Sequence, residues 1–239
     1  MFDTPASDPD AYVMLMSSLP DSGRLFVAKR PPLSRLRLDR RLTALSPEDA
    51  ETLRLVEAAL DWGSFALDVT DAQATDRARR ALAHVTQPAL RAVLNDRLEI
   101  RTVIAALRRR QRGEGPPPPG WGHGRLTGRI AARWGEPTFG LAEVFPWLRE
   151  AHALLEQGDP LGFERLILQV TERLMRRRGA GHDFDIEAVV IYVLTWNIYD
   201  RWARANAEGA ARRFNALADA ALAGVPDPAE HFAETRDHD

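Results

Sequence analysis

The residues whose chemistry is easiest to recognise lie close together, where one imidazole and three carboxylates fall within six positions. These are His182, Asp183, Asp185 and Glu187. Histidine and carboxylate side chains are ordinary ligands of zinc and iron, so the cluster is compatible with the metal centre of an all-α hydrolase. Side chains this close in sequence point in different directions at the start of a helix.

A metal centre here would therefore need a ligand from elsewhere in the chain, and His84 and His152 are the candidates. The favoured interpretation is a helix start. Asp183 or Asp185 would cap the helix, and the neighbouring acids would complement its dipole. We accordingly predict no metal ligand, no cofactor and no catalytic residue.

Arginine-rich stretches close two predicted helices, and both could bind a partner. Their residues, Arg108, Arg109, Arg110, Arg112, Arg176, Arg177 and Arg178, are the predicted partner-binding arginines. Cations at a helix C-terminus favour the dipole and cap free carbonyls, which is a structural role. Arginine is also enriched at protein interfaces, whereas no aromatic residues alternate with these arginines as in a nucleic-acid surface. We therefore favour the structural role at the helix ends, keep docking of an acidic protein partner as the open alternative, and expect no nucleic acid.

Trp121 lies in a glycine-rich stretch, residues 120–124, which follows four consecutive prolines at 116–119. The stretch lacks the Lys-Ser/Thr ending of a phosphate-binding loop and the spacing of a dinucleotide fingerprint. It predicts a flexible or protruding connection. Tryptophan is typical of binding hot spots, and Trp121 is the tryptophan most expected to be exposed. We add it to the partner-binding set.

The composition excludes several classes of protein. The chain has 239 residues, a formal charge of −2 and no cysteine, so disulfides, thiolate metal sites and cysteine nucleophiles are ruled out. The most apolar run, residues 188–194, is far shorter than a membrane-spanning helix. The acidic N-terminus lacks the features of a signal peptide. These features favour a cytoplasmic protein without direct membrane insertion.

Helical periodicity dominates, and the predicted fold class is all-α. We predict one helical domain over residues 11–224, interrupted by a Pro/Gly-rich break near 113–124, with flexible tails at 1–10 and 225–239. Residues 12–19 are apolar and could form either a short strand or a helix. Ser46 and Asp159, each followed by proline, are predicted to cap helices.

Two segments about a hundred residues apart are similar, and they suggest a duplicated helical unit. Residues 97–104 read RLEIRTVI and residues 195–202 read TWNIYDRW. In each, a polar Glu99 or Asn197 precedes isoleucine within an apolar helix. We therefore expect a helical bundle built from two related repeats.

Residues 184–194, with 197–202, resemble the closing helix of the C-type stalk component of V/A-type ATPases, which is the d-type component in eukaryotes. Residues 98–113 resemble the corresponding helical segment in a preceding repeat of that component. Residues 12–20 and 45–50 resemble a shorter bacterial family of uncharacterised proteins encoded beside V/A-type ATPase genes. The chain has two repeats where the C-type component has three, and alanine follows Glu187 where that family has proline.

The resemblance implies a non-catalytic adaptor in the central stalk of a bacterial V/A-type ATPase. Such an adaptor would link the rotor shaft to the membrane ring and transmit torque for ion transport. It would lie in the cytoplasm, peripheral to the inner membrane through its partner subunits. Two alternatives remain open: the metal-dependent hydrolase built on the cluster at 182–187, and a helical adaptor unrelated to ATPases.

Overall fold

The computed structural model describes residues 9–28, 30–61 and 71–223, and every regular element within these ranges is a helix. The all-α prediction is confirmed, and the apolar segment near the N-terminus is a helix rather than a strand. The predicted tails lie outside the described residues, except that Pro9 and Asp10 begin the first helix. The helices are α1 (Pro9–Ser18), α2 (Arg35–Leu42), α3 (Pro47–Leu60), α4 (Asp71–His84), α5 (Pro88–Gln111), α6 (Thr127–Ala132), α7 (Leu148–Glu156), α8 (Pro160–Gly179) and α9 (Ile186–Ala223).

The predicted caps start their helices as expected. The Ser46 hydroxyl oxygen accepts a hydrogen bond from the Asp49 amide at 3.1 Å, ahead of α3. The Asp159 carboxylate accepts one from the Gly162 amide at 2.8 Å, ahead of α8. Each bond satisfies one of the amides that a helix start leaves without an intrahelical partner.

The first half of α9 forms the centre of the core. Its apolar run at 188–194 is buried except for the half-buried Tyr192. A helix that is apolar on all sides needs neighbours on all sides, and α9 packs against α1, α3, α5 and α8. Among the described residues, no helix is both long enough and apolar enough to cross a membrane.

Three aromatic side chains on one face of α9 donate hydrogen bonds that hold the N-terminal segment in place. Residues 192, 196 and 199 are spaced four and three apart, so they project from the same face. Each donates a hydrogen bond to a backbone carbonyl oxygen: Tyr192 to Pro20 at 2.9 Å, Trp196 to Leu33 at 2.8 Å and Tyr199 to Gly23 at 2.8 Å. These bonds satisfy carbonyls of an irregular segment that has no helical partners of its own.

A buried arginine links α5 to α8. Arg97 Nη1 donates to Thr171 Oγ1 at 2.7 Å, and both residues are buried. Burial, and then the like charge of Arg101, lowers the pKa of Arg97 to about 10, so the side chain is still charged at pH 7. At the surface nearby, Arg178 forms an ion pair with Asp96 at 2.6 Å. The two helices run antiparallel with these links between them.

The Pro/Gly-rich break separates α5 from α6 as expected, but the segment does not protrude. It folds back along α5, where the His123 amide donates to Thr102 Oγ1 at 2.8 Å. The His123 ring lies 2.9 Å from the side-chain oxygen of Asn95, more than four helical turns before the end of α5. Burial lowers the pKa of His123. The prediction of a protruding connection is therefore wrong.

Two glycines allow this close approach. Gly122 and Gly124 have φ values of 76° and 91°, which residues other than glycine rarely adopt. A Cβ atom at Gly122 would lie 2.5 Å from the Thr102 methyl carbon. At Gly124 it would lie 2.5 Å from Glu99 Cγ. The loop thus rests on α5 at a distance that only glycine permits.

The two similar segments lie inside the long helices α5 and α9. Their polar residues have different surroundings: Glu99 lies beneath the glycine-rich loop, whereas Asn197 Nδ2 donates to Glu57 Oε1 at 3.0 Å. The common origin of the two segments as repeats stays a prediction.

Candidate functional site: an arginine-lined groove

A groove with an apolar floor opens where α5, α7, α8 and α9 meet. Its volume is about 610 Å³, within the range typical of ligand and side-chain binding pockets. The apolar residues that line it come from three helices: Ile104, Leu154, Leu155, Phe163 and Ile167. Gly158, in the turn between α7 and α8, also lines it. We call this feature the arginine groove because of its rim.

Three arginines form the rim of the arginine groove. Arg108 and Arg112 come from the C-terminal end of α5, and Arg201 comes from α9. The Arg108 guanidinium lies over the Phe163 ring, 5.6 Å from its centroid, in a cation–π arrangement. Burial lowers the pKa of Arg108, and the positive charges of Arg201 and Arg112 lower it further, while Glu164 opposes them. The guanidinium nevertheless stays charged at neutral pH.

Two carboxylates line the same groove, and both have structural partners. Glu164 accepts a hydrogen bond from Arg201 Nε at 2.7 Å, while Asp159 caps α8. On the outer side of the rim, Arg112 Nε lies 2.6 Å from Glu114. The lining therefore carries one more positive charge than negative, and the excess lies along α5. An incoming anion would be favoured there.

The other two arginines predicted at this end of α5 organise neighbouring loops. Arg109 Nε donates to the Gly115 carbonyl oxygen at 2.9 Å. Arg110 Nη2 donates to the Pro137 carbonyl oxygen at 2.7 Å, and its guanidinium lies 4.7 Å from the centroid of the Phe139 ring. They bind parts of this chain and do not line the groove.

The second arginine run lies at the other end of α8, away from the groove. Arg178 pairs with Asp96, and Arg176 pairs with Glu172 one turn before it on the same helix. Arg177 is exposed. The structure thus divides the predicted partner-binding arginines between two distant places and assembles only Arg108 and Arg112 into a concave site.

Trp121 is half-buried and packs against the core instead of projecting into solvent. It lines a smaller cavity of about 290 Å³ between α4 and α5, together with His123. The expectation that Trp121 is exposed is therefore wrong, whereas its role as a partner contact stays a prediction. Its burial has the same cause as the position of the loop, since Gly122 and His123 bring the indole down onto α5.

The cluster at 182–187 has the geometry of a helix cap. Asp185 Oδ1 accepts from the Ala188 amide at 2.7 Å, and Asp185 Oδ2 lies 2.7 Å from His182 Nδ1. This hydrogen bond to Asp185 raises the pKa of His182. One ligand atom each from His182, Asp185 and Glu187 lies within 4.8 Å of the others.

The distant ligand that a metal centre would need does not reach this cluster. Within the part of the chain that the structure describes, neither His84 nor His152 joins the group, and Asp183 is also outside it. His152 instead lies 3.5 Å from Glu156, one turn along α7. Both carboxylate oxygens of Asp185 have partners in the cap, the Ala188 amide and the His182 ring.

A second, polar groove of about 650 Å³ lies beside α9 and is lined by residues of α2, α3 and α9. Arg35 forms a bidentate pair with Glu57 at 2.7 and 3.0 Å, and this hydrogen bonding raises the pKa of Arg35. Asn197 donates to the same carboxylate. Arg201 lines both grooves. Several charged side chains that line the polar groove pair with one another, among them Arg35 with Glu57 and Arg204 with Asp200.

Sequence reasoning missed Arg201 and Glu164 as members of the site. Both are single charged residues on amphipathic helices, where a solvated position is the ordinary expectation. The sequence signal that could have identified both residues is their position along the two helices. Arg201 and Glu164 approach each other only if α8 and α9 pack as an antiparallel pair, which the short connection between those helices favours.

Comparisons with models of protein families, with curated proteins and with solved structures found no match to this chain.

Proposed function

We propose that this chain is a non-catalytic adaptor whose arginine groove docks an acidic segment of a partner protein. One observation carries the proposal: Arg108, Arg112 and Arg201 surround an apolar floor in a concave site. Apolar contact supplies affinity, and the arginines select an acidic partner and fix its position. The lining holds positive charge beside hydrophobic surface, which is the composition of a protein-docking site.

The partners proposed are subunits of a V/A-type ATPase, with the chain between the rotor shaft and the membrane ring. The resemblance of residues 184–202 to the closing helix of the C-type stalk component supports this choice. Those residues form the start of α9, which packs against four other helices and ties the N-terminal segment to the body. A body held together in this way suits an element that transmits torque. The chain would then be peripheral to the membrane through its partners.

The test is a pull-down of tagged protein from its native membranes in mild detergent, with the captured proteins identified by mass spectrometry. We expect the catalytic and shaft subunits of the ATPase to co-purify, and to be lost at high salt because charged contacts are screened. Arg108→Glu should reduce their recovery. Arg177→Glu is the matched control, because Arg177 is exposed at the far end of α8.

Recovery of an intact monomer without ATPase subunits would contradict the proposed partners. Equal losses with Arg108→Glu and Arg177→Glu would contradict the groove as the docking site. Metal analysis of the same purified sample addresses the hydrolase alternative. Stoichiometric zinc or iron, removed by Asp185→Asn, would favour a metal centre at residues 182–187 over the adaptor.

A further inference from the structure

We propose that the segment of residues 24–41 presents a basic surface that binds the anionic face of a lipid membrane. The basic surface consists of four exposed arginines and two exposed aliphatic side chains: Arg24, Val27, Arg30, Leu36, Arg37 and Arg40. This peripheral contact goes beyond the proposed function. It depends neither on the arginine groove nor on the identity of the partner proteins.

The first argument is the distribution of charge along the chain. Residues 24–41 contain seven basic residues and one acidic residue, whereas the whole chain has a formal charge of −2. Positive charge is therefore concentrated in one short segment. Such a segment is attracted to an anionic surface whatever the overall charge of the protein, because the attraction acts only over about 10 Å at moderate salt.

The second argument is that this charge is not used within the protein. Among the described residues, no carboxylate forms an ion pair with any of the four arginines of the basic surface. The neighbouring Arg35 differs, because its guanidinium binds both Glu57 and Asp39. Arg35 thus engages the one acidic residue of the segment. The four exposed guanidiniums are left to contact an external anion.

The third argument is the orientation of the segment, which lies across α9. Hydrogen bonds from Tyr199 to the Gly23 carbonyl oxygen and from Trp196 to the Leu33 carbonyl oxygen attach it there. Its leucines at positions 25, 33 and 38 are buried in the core, so the exposed side chains lie on the outer side. None of the six lines the grooves described above, which fits contact with an extended surface.

Arginine and aliphatic side chains alternate on this outer side. In α2, Leu36 lies four residues before Arg40 and Arg37 lies three residues before it, so the three share one helix face. Before α2, the amides of Val27 and Ala28 both donate to the Arg24 carbonyl oxygen at 3.1 Å. This single helical turn places Val27 beside Arg24. Each aliphatic side chain therefore has an arginine next to it.

The exposed aliphatic side chains favour a lipid membrane over a nucleic acid. Val27 is 72% exposed and Leu36 is 63% exposed. At a membrane, arginines bind lipid phosphates while neighbouring apolar side chains enter the boundary between headgroups and acyl chains. A nucleic acid has phosphates but no apolar layer, and its unpaired bases stack on exposed aromatic rings. The one aromatic residue of the segment, Phe26, instead packs edge-on against Trp202, with ring centroids 5.1 Å apart.

The test is co-sedimentation of the full chain with unilamellar vesicles. One set of vesicles is phosphatidylcholine alone, and the other contains about one third phosphatidylglycerol, an anionic lipid. We expect binding to the anionic vesicles to be at least about tenfold tighter than to the neutral vesicles. High salt should remove most of this difference, because it screens the charges.

Matched protein variants locate the contact. Arg37→Gln combined with Arg40→Gln should weaken binding to the anionic vesicles about twentyfold, because each cation near a membrane surface contributes about fivefold. Leu36→Ser should weaken binding about fivefold through loss of apolar contact. The controls are Arg129→Gln on α6 and Val144→Ser, two exposed positions outside the segment, and both should leave binding unchanged.

Thermal melting of each variant separates loss of binding from loss of folding. If the double variant at positions 37 and 40 does not fold, Arg24→Gln combined with Arg30→Gln tests the same surface from the chain before α2. We expect the same loss of about twentyfold from this second pair.

Three results would overturn the proposal. One is equal binding to both kinds of vesicle, including no binding to either, and another is equal binding by the arginine variants and the Arg129→Gln control. The third is release from the vesicles by micromolar duplex DNA together with full binding by Leu36→Ser, which would make the segment a nucleic-acid surface. The vesicle assay contains no ATPase subunits, so its failure leaves the proposed function standing, and failure of the pull-down leaves the lipid contact standing.

Discussion

Replacing Thr171 with valine tests the buried link that holds α5 against α8, the two helices whose ends form the arginine groove. Valine has nearly the shape of threonine, so Thr171→Val removes the hydroxyl without opening a cavity. Arg97 then loses the oxygen that accepts its hydrogen bond at 2.7 Å. A hydrogen bond to a charged group contributes about 1.5–3 kcal/mol to the free energy of unfolding. For a chain of this size that corresponds to a fall in Tm of roughly 3–12 °C.

The matched control is Thr195→Val. Thr195 Oγ1 donates to the Ile191 carbonyl oxygen at 2.7 Å, just as Thr171 Oγ1 donates to the Ile167 carbonyl oxygen at 2.8 Å. Such bonds back to the preceding turn add little stability. We expect Thr195→Val to change the free energy of unfolding by less than about 0.5 kcal/mol. The difference between the two variants then isolates the arginine contact.

A double variant separates the loss of the bond from the cost of keeping a charge buried. Arg97→Met replaces the buried charge with an apolar chain, and replacing both partners together is often close to neutral. We expect Arg97→Met with Thr171→Val to be more stable than Thr171→Val alone. Chemical denaturation followed by circular dichroism measures each value. Equal stability of Thr171→Val and Thr195→Val would refute the reasoning. So would a loss of stability in the double variant that equals the sum of the losses in Arg97→Met and Thr171→Val.

Two further predictions concern the cap at α9 and the loop over α5. The hydrogen bond to Asp185 raises the pKa of His182 above its ordinary 6.5. The contribution of this contact to the free energy of unfolding is therefore complete below about pH 6.5 and is lost as the pH rises through the folded-state pKa. NMR titration of His182 should show the raised pKa, and Asp185→Asn should lower it. Gly124→Ala should lower the free energy of unfolding by more than about 1 kcal/mol, because the φ of Gly124 is +91° and an added Cβ atom would meet Glu99. Gly115→Ala is the control and should be nearly neutral, since there is open space around Gly115. Chemical denaturation measures both values.

Features determined by a few neighbouring residues were predictable from the sequence. Ser46 and Asp159 each precede proline, and their side chains cap helices as the local pattern indicates. The cap at Asp185 follows the same logic, because one carboxylate oxygen reaches the amide three residues on. The burial of residues 188–194 was also predictable, since a helix without a polar face belongs in a core.

Features that depend on distant contacts were not predictable in this way. The prolines and glycines of residues 113–124 indicate a break, but they carry no information about where the segment goes afterwards. Its position depends on Thr102 accepting a bond from the His123 amide, a contact between residues 21 positions apart. Arg110 belongs to a basic run in the sequence, yet its partner is the Pro137 carbonyl, which no local pattern connects to it.

The candidate site combines both kinds of information. The arginines at the end of α5 were identified from their clustering, but only packing decides that Arg108 lies over Phe163 while Arg109 turns to the Gly115 carbonyl. Arg201 enters the site because α8 and α9 run antiparallel. A run of like residues on a helix end therefore predicts a charged region, and the neighbouring helices determine which members face a common groove.

The return of the glycine-rich loop along α5 has a consequence for changes in chain length. The region combines two parts: residues 113–120 include glycines with open space around them, whereas Gly122 and Gly124 touch the helix. From Gln111 back to Asn95 the loop spans about 24 Å of α5. An insertion next to the exposed Pro119 lengthens a surface turn, whereas the Glu114 and Gly115 carbonyls are bound by Trp134 and Arg109 and Pro117 is buried. An insertion between Trp121 and His123 displaces the His123 amide from Thr102, so residues 121–124 have a fixed length although their composition is that of a linker.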